Sequence, residues 1–118
     1  MKLTWISISI LFVGIAYAQT EKETQPPRET FMEEMNTSMK VMDHDMAAAP
    51  MTGDADHDFA AMMIPHHQGA IDMAKAELIY GKDPVMRRLA QEIIVDQKSE
   101  IDVMNLWLGK NAKAGKGR

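Results

Sequence analysis

Histidine and methionine are the residue types that best equip this chain of 118 residues for chemistry, with four and twelve copies. In the segment HDFAAMMIPHHQGAIDM (57–73), two pairs stand four residues apart: Met62 with His66, and Met63 with His67. On an α-helix, such pairs share one face, so each can present a thioether sulfur and an imidazole nitrogen to one metal ion. The two histidines lie about 100° apart around the helix. They therefore belong to two sites, or one binds the ion while the other packs or forms hydrogen bonds.

Five further methionines repeat at steps of three and four residues in the preceding segment. This spacing predicts that all five lie on one face of a helix: Met32, Met35, Met39, Met42 and Met46. We call this row the thioether ladder. A core face normally mixes Leu, Ile, Val and Ala with Met, whereas uncharged, polarisable sulfur suits a soft cation. The last four members are candidate metal ligands, with a core face or a Met-rich partner surface as alternatives.

Four more side chains complete the candidate set. His44, within MDHDM, could capture Cu(II) or Zn(II) weakly, or be a solvated surface residue. His57 stands at the start of the second helical segment, and Met73 lies seven residues after His66. Met104 could supply a sulfur from a third helix, with core packing as its alternative.

The identity of the metal follows from the ligand types. Cysteine is absent, which excludes blue copper centres, iron–sulfur clusters and Cys-type zinc sites. Imidazole alone suits Zn, Cu, Ni or Fe, but the accompanying thioethers favour Cu(I), with Ag(I) as a chemical analogue. The sequence therefore predicts a copper ion, most readily Cu(I), as the bound cofactor.

Three helices must position these side chains. Uninterrupted helical spacing predicts helices over 29–48, 58–80 and 84–108, with Thr30, Asp54 or Asp56, and Asp83 as their N-caps. No segment has the pattern of a strand, so we predict an all-α, antiparallel up-down bundle with short loops. Because three helices make a thin bundle, we also expect that a homodimer could complete a larger core.

The N-terminal segment has the pattern of a secretory signal peptide. Lys2 precedes an apolar run from Leu3 to Val13, and Ala16-Tyr17-Ala18 is a small-residue cleavage site. We expect residues 1–18 to be removed and the chain to be exported, to the periplasm in a bacterium, with no stable membrane anchor. A disordered leader is predicted for 19–28, a metal-binding domain for 29–108 and a basic flexible tail for 109–118.

The charge balance narrows the function classes. The formal net charge is −4, which argues against nucleic acid as a partner and is compatible with cations. No nucleophile–base constellation and no Gly-rich phosphate loop occurs in the sequence. We therefore expect a binding protein rather than an enzyme.

The segment from His57 to Ala74, with MIPHHQGAI at its centre, resembles the domain-of-unknown-function family 305. The stretch from Leu89 to Ile94, followed by Gln97, Glu100-Ile101 and Met104 to Leu108, is similar to that family's second half. The resemblance covers about residues 54–108. It implies a ferritin-like fold and, because the family includes the CopM-type periplasmic copper-binding proteins, a role in copper binding and resistance. The implied ligands are Met62, Met63, His66, His67, Met73 and Met104.

These observations together predict an exported protein that captures or buffers Cu(I) in copper tolerance or trafficking. A copper-delivery or efflux protein is the expected partner. Two alternatives are a Met-rich helical interaction module without metal and a ferritin-like carboxylate enzyme. The enzyme alternative needs Glu-x-x-His motifs, which the sequence lacks.

Overall fold

The computed structural model of the chain describes residues 28–115, and these form three helices. α1 spans Arg28–Ala47, α2 spans Ala55–Tyr80 and α3 spans Pro84–Gly115. The described residues contain no strand, so the predicted all-α class is confirmed. The predicted signal peptide, the leader up to residue 27 and the last three residues of the tail lie outside the described part of the chain.

The central helix is α2, which packs against both of the others. Within the described residues, α1 and α3 make no direct contact with each other. Short connections make each neighbouring pair antiparallel: Phe31 of α1 meets Tyr80 of α2, and Arg87 of α3 reaches the carbonyl of Leu78. The three helices thus form an open up-down arrangement with a groove on each side of α2.

Side chains in the loops fix where α2 and α3 begin. Asp54 is the N-cap of α2, and its carboxylate accepts the backbone N–H of His57 at 2.9 Å. Asp83 does the same for α3, accepting from the N–H groups of Val85 and Met86. These two caps are as predicted.

Two helix ends differ from the sequence prediction. Thr30 is not an N-cap, because α1 already begins at Arg28. α3 continues through Gly109 to Gly115, past the predicted end at Leu108. A glycine inside a helix costs only about 1 kcal/mol relative to alanine, and the Asn111 side chain donates to the carbonyl of Trp107 across that point. One glycine followed by good helix formers was therefore a poor stop signal.

Small side chains form the buried core. Five of the six buried apolar residues are alanines, namely Ala60, Ala61, Ala74, Ala76 and Ala90, and the sixth is Ile71. Thirteen large apolar side chains are exposed among the described residues. No large side chain of these residues is fully buried. Met86 and Leu89 of α3 are 47% and 45% exposed. The helices therefore approach through small residues, and most large apolar side chains line grooves or face solvent.

Candidate metal centre

A groove of about 430 Å³ between α2 and α3 brings together three of the sequence-predicted ligands. Met63 and His67 border it from α2, one helical turn apart, and Met104 borders it from α3. The aromatic ring of Phe59 and the side chain of Val103 extend its apolar wall. We call this the α2–α3 groove. It offers two thioethers and one imidazole in a largely apolar setting.

The His67 imidazole is held in place by a carboxylate from α3. Its Nε2 lies 2.6 Å from Oε2 of Glu100, and the Gln97 amide approaches the same oxygen at 3.5 Å. An ionised carboxylate can only accept a hydrogen bond, so Nε2 carries the ring proton and donates it. When the ring is neutral, the second ring nitrogen, Nδ1, keeps its lone pair.

Nδ1 of His67 is buried and has no hydrogen-bond partner among the described residues. Leaving such a group unsatisfied costs about 1–3 kcal/mol, and a cation at this nitrogen would satisfy it. Metal-binding histidines commonly donate their other ring N–H to a carboxylate, as His67 does to Glu100. One imidazole nitrogen with two thioethers is a donor set that fits a soft monovalent ion.

Within residues 28–115, no three His, Asp or Glu side chains come close enough together to hold a metal ion. A carboxylate-rich centre therefore has no ligand set in this part of the chain. A site with three side-chain ligands in this part of the chain would therefore include a side chain of another type, such as a thioether.

The other predicted pair, Met62 and His66, does not border the α2–α3 groove. The rings of His66 and His67 have centroids 5.9 Å apart and an interplanar angle of 62°. His66 is exposed and Met62 is half-buried. His67 thus borders the α2–α3 groove, whereas His66 does not, which agrees with their angular separation around the helix.

The thioether ladder lies along α1 with graded exposure. Met35, Met42 and Met46 are half-buried, whereas Met32 and Met39 are 48% and 38% exposed. Met42 packs directly against Gly69 of α2. The ladder is therefore neither a fully buried core face nor a fully solvated one.

Met73 borders a second groove, of about 290 Å³, rather than joining His66. Its neighbours there include Met86 and Leu89 of α3. Met86 was not a predicted ligand. Its position on α3, bordering the same groove as Met73, is the one feature that distinguishes it from a packing residue.

His44 and His57 stand apart from both grooves. The His44 side chain is 80% exposed, and its Nδ1 pairs with the carboxylate of Asp45 at 2.9 Å. Nδ1 of His57 lies 3.2 Å from Oδ1 of Asp58 at the start of α2.

The pKa of the Asp58 carboxyl lies below its ordinary value of 3.8. The main cause is the hydrogen bond donated by the backbone N–H of Thr52, at 2.7 Å. The N–H of Gly53 and the hydroxyl of Thr52 also donate to this carboxylate. Gly53 has a φ of +86°, which favours glycine. Asp58 thus closes the loop before α2.

The carboxylate that holds His67 was missed by the sequence analysis. Asp72 could have oriented a histidine or been an exposed charge on the helix, and its carboxylate accepts from Lys75 and Gln68. Glu100 of α3 holds the His67 ring instead. No local pattern could have found this contact, because the two residues lie 33 positions apart on different helices.

No helix among the described residues is long and apolar enough to cross a membrane. Fold and site together define a class: a small all-α protein with a Met/His groove between antiparallel helices. The family model described as "Domain of unknown function (DUF305)" matches residues 14–108, and the chain belongs to this family. The match includes α1, which the sequence resemblance had left out.

The chain is also similar to the "Uncharacterized protein L153" of Acanthamoeba polyphaga mimivirus. The two are 44% identical over 50 residues, which is 42% of this chain and 33% of that protein. The similarity thus spans a third of the viral protein's length.

Proposed function

We propose that this chain binds Cu(I) in the α2–α3 groove and so captures or buffers copper. The observation that carries the proposal is the His67 imidazole: Glu100 holds Nε2, while the buried Nδ1 has no partner among the described residues. Met63 and Met104 border the same groove and supply thioethers, which prefer Cu(I) and Ag(I) over hard ions. The resemblance to copper-binding members of the family supports the same choice of ion.

Each residue has a defined part in this proposal. His67 supplies a nitrogen ligand, and Met63 and Met104 supply neutral sulfur ligands that need no deprotonation. Glu100 is a positioning residue: it fixes the ring orientation and keeps the proton on Nε2, so that the lone pair stays on Nδ1. Phe59 forms part of the apolar wall beside these ligands.

The decisive measurement is competition for Cu(I) against bathocuproine under anaerobic conditions, using the purified protein. We expect His67→Ala to weaken the affinity by at least about tenfold and Glu100→Gln by about 10–100-fold, the range known for positioning partners. His44→Ala is the control for loss of a histidine, because His44 is solvent-exposed and lies outside the groove. Glu92→Gln is the control for Glu100→Gln. Both residues lie on α3, and their side chains are similarly exposed, at 59% for Glu92 and 56% for Glu100.

Two outcomes would overturn the proposal. If the wild-type protein does not compete for Cu(I), copper binding is wrong. If His67→Ala and His44→Ala bind equally well, the α2–α3 groove is not the site.

We further propose that the protein is exported and acts outside the cytoplasm, with a copper-delivery or efflux protein as partner. The support is the charged start, apolar run and small-residue site within residues 1–18. N-terminal sequencing of protein recovered from the periplasmic fraction of a bacterial host tests this, with Gln19 as the expected first residue. An intact Met1 in that fraction would contradict it.

A second candidate function is a metal-independent interaction module. The thirteen large exposed apolar side chains of the described residues favour it, because such surfaces mark binding sites. A partner captured equally well by wild type and by the double variant H66A/H67A, with and without a Cu(I) chelator, would favour this function over copper binding.

A further inference from the structure

α1 and α2 approach each other very closely at Gly69. A Cβ atom built there would lie 2.7 Å from the sulfur of Met42 and 2.8 Å from its Cβ and Cγ. Real Cβ atoms essentially never come this near, so only glycine leaves room for Met42 at this point. The thioether of Met42 is consequently pressed against the backbone of α2.

Two contacts fix the antiparallel register of these helices. Phe31 meets Tyr80 with ring centroids 5.9 Å apart, and Met42 meets Gly69. The two contacts are eleven residues apart on both helices, so the register has no slip between them. If the same register continues for one more helical turn, Met46 of α1 lies opposite residue 65 of α2. Along the helix axes, His66 then lies between Met42 and Met46.

The side of α2 that faces Met42 also carries two of the predicted ligands. His66 precedes Gly69 by three residues and Met62 precedes it by seven, so both lie within about 60° of Gly69 around the helix. Among the described residues, no hydrogen bond or ion pair engages the His66 imidazole, and the ring is exposed. Its nitrogens are therefore available to a ligand.

We propose that α1 and α2 form a second soft-metal site, with Met42 and Met46 of α1 and Met62 and His66 of α2 as its ligands. Three thioethers and one imidazole make a neutral donor set that takes Cu(I) or Ag(I). The site rests on the proposed function for the class of ion, and it assigns part of the thioether ladder a role in binding. It neighbours the α2–α3 groove but does not share its ligands, because neither His66 nor Met62 borders that groove.

The test uses Ag(I), a diamagnetic probe, and protein with ¹³C-labelled methionine methyl groups. We expect two equivalents of Ag(I) to bind. One should shift the methyl signals of Met63 and Met104, and the other should shift those of Met42, Met46 and Met62. The variant M42L/M46L should bind one equivalent and keep the shifts of Met63 and Met104. Leu for Met is a nearly volume-conserving change that costs less than about 1.5 kcal/mol, so the variant should fold.

The matched control is M32L/M51L. It also removes two thioethers, but Met32 lies at the opposite end of α1 and Met51 lies in the loop, and both are about half exposed. This control should still bind two equivalents.

The outcomes separate the two proposals. If wild type binds one equivalent that shifts only Met63 and Met104, or if M42L/M46L still binds two, the second site is wrong and the α2–α3 groove stands. If only Met42, Met46 and Met62 shift, the second site stands and the groove fails. If no methyl signal moves, both fail.

Discussion

Replacing Gly69 with alanine tests how closely α1 and α2 approach. The added methyl group would meet three atoms of Met42 at 2.7–2.8 Å. The sulfur can move away by rotation of the side chain, but the Cβ of Met42 is fixed to the backbone of α1. Part of the overlap can therefore be relieved only by moving the helices apart.

Two effects of known size oppose each other in Gly69→Ala. Overpacking a close contact costs about 1–3 kcal/mol, whereas alanine is favoured over glycine inside a helix by about 1 kcal/mol. We expect the free energy of unfolding to fall by roughly 0–2 kcal/mol as the difference of these effects. Urea unfolding followed by circular dichroism measures it.

Gly109→Ala is the matched control, because Gly109 also lies inside a helix but a Cβ atom added there would have no neighbouring atom within 4 Å. It should stabilise the protein by up to about 1 kcal/mol. In a Met42→Ala background, which removes the sulfur and Cγ but leaves Cβ, Gly69→Ala should cost less than in wild type. If Gly69→Ala stabilises the protein as much as Gly109→Ala does, the close approach, and with it the register argument for the second site, is refuted.

Three further predictions concern the caps and the exposed surface. Asp83→Ala removes the N-cap of α3 and should lower the free energy of unfolding by about 1 kcal/mol in urea titrations; an unchanged midpoint would contradict this. Because the folded pKa of Asp58 is lowered, its stabilising effect is present above pH 3.8 and is lost as the pH falls through the lowered pKa. Wild type should thus be more stable than Asp58→Asn at neutral pH, with the gap closing in acid, and a constant gap would refute it. The exposed apolar side chains lead us to expect a dimer by light scattering at micromolar concentration, and a monomer mass would count against it.

Local spacing was enough to predict the helices and the pairing of Met63 with His67. Both depend on contacts within one helix, where a period of 3.6 residues determines which side chains are neighbours. The caps at Asp54 and Asp83 were predictable for the same reason, since each acts on N–H groups two or three residues ahead.

Contacts between helices could not be predicted in this way. The bond from His67 to Glu100 depends on how α2 and α3 are aligned, and no local rule fixes that alignment. The exposure of Met86 and Leu89 could not be read from the sequence, because helical spacing identifies an apolar face but not whether a neighbour covers it. Asp72 lies on the histidine-bearing helix, but its partners are side chains about one turn away on the same helix.

The alanine core bears on the meaning of the methionines. The buried apolar set contains five alanines and one isoleucine, so leucine, valine and phenylalanine are absent from it as well as methionine. Met35, Met42 and Met46 of the thioether ladder are half-buried. Burial alone therefore leaves core packing open for the ladder, beside the two other roles, a metal site and a partner surface. Those two differ in one respect: a metal site needs sulfur at Met42 and Met46, whereas a partner surface should accept leucine at the same positions.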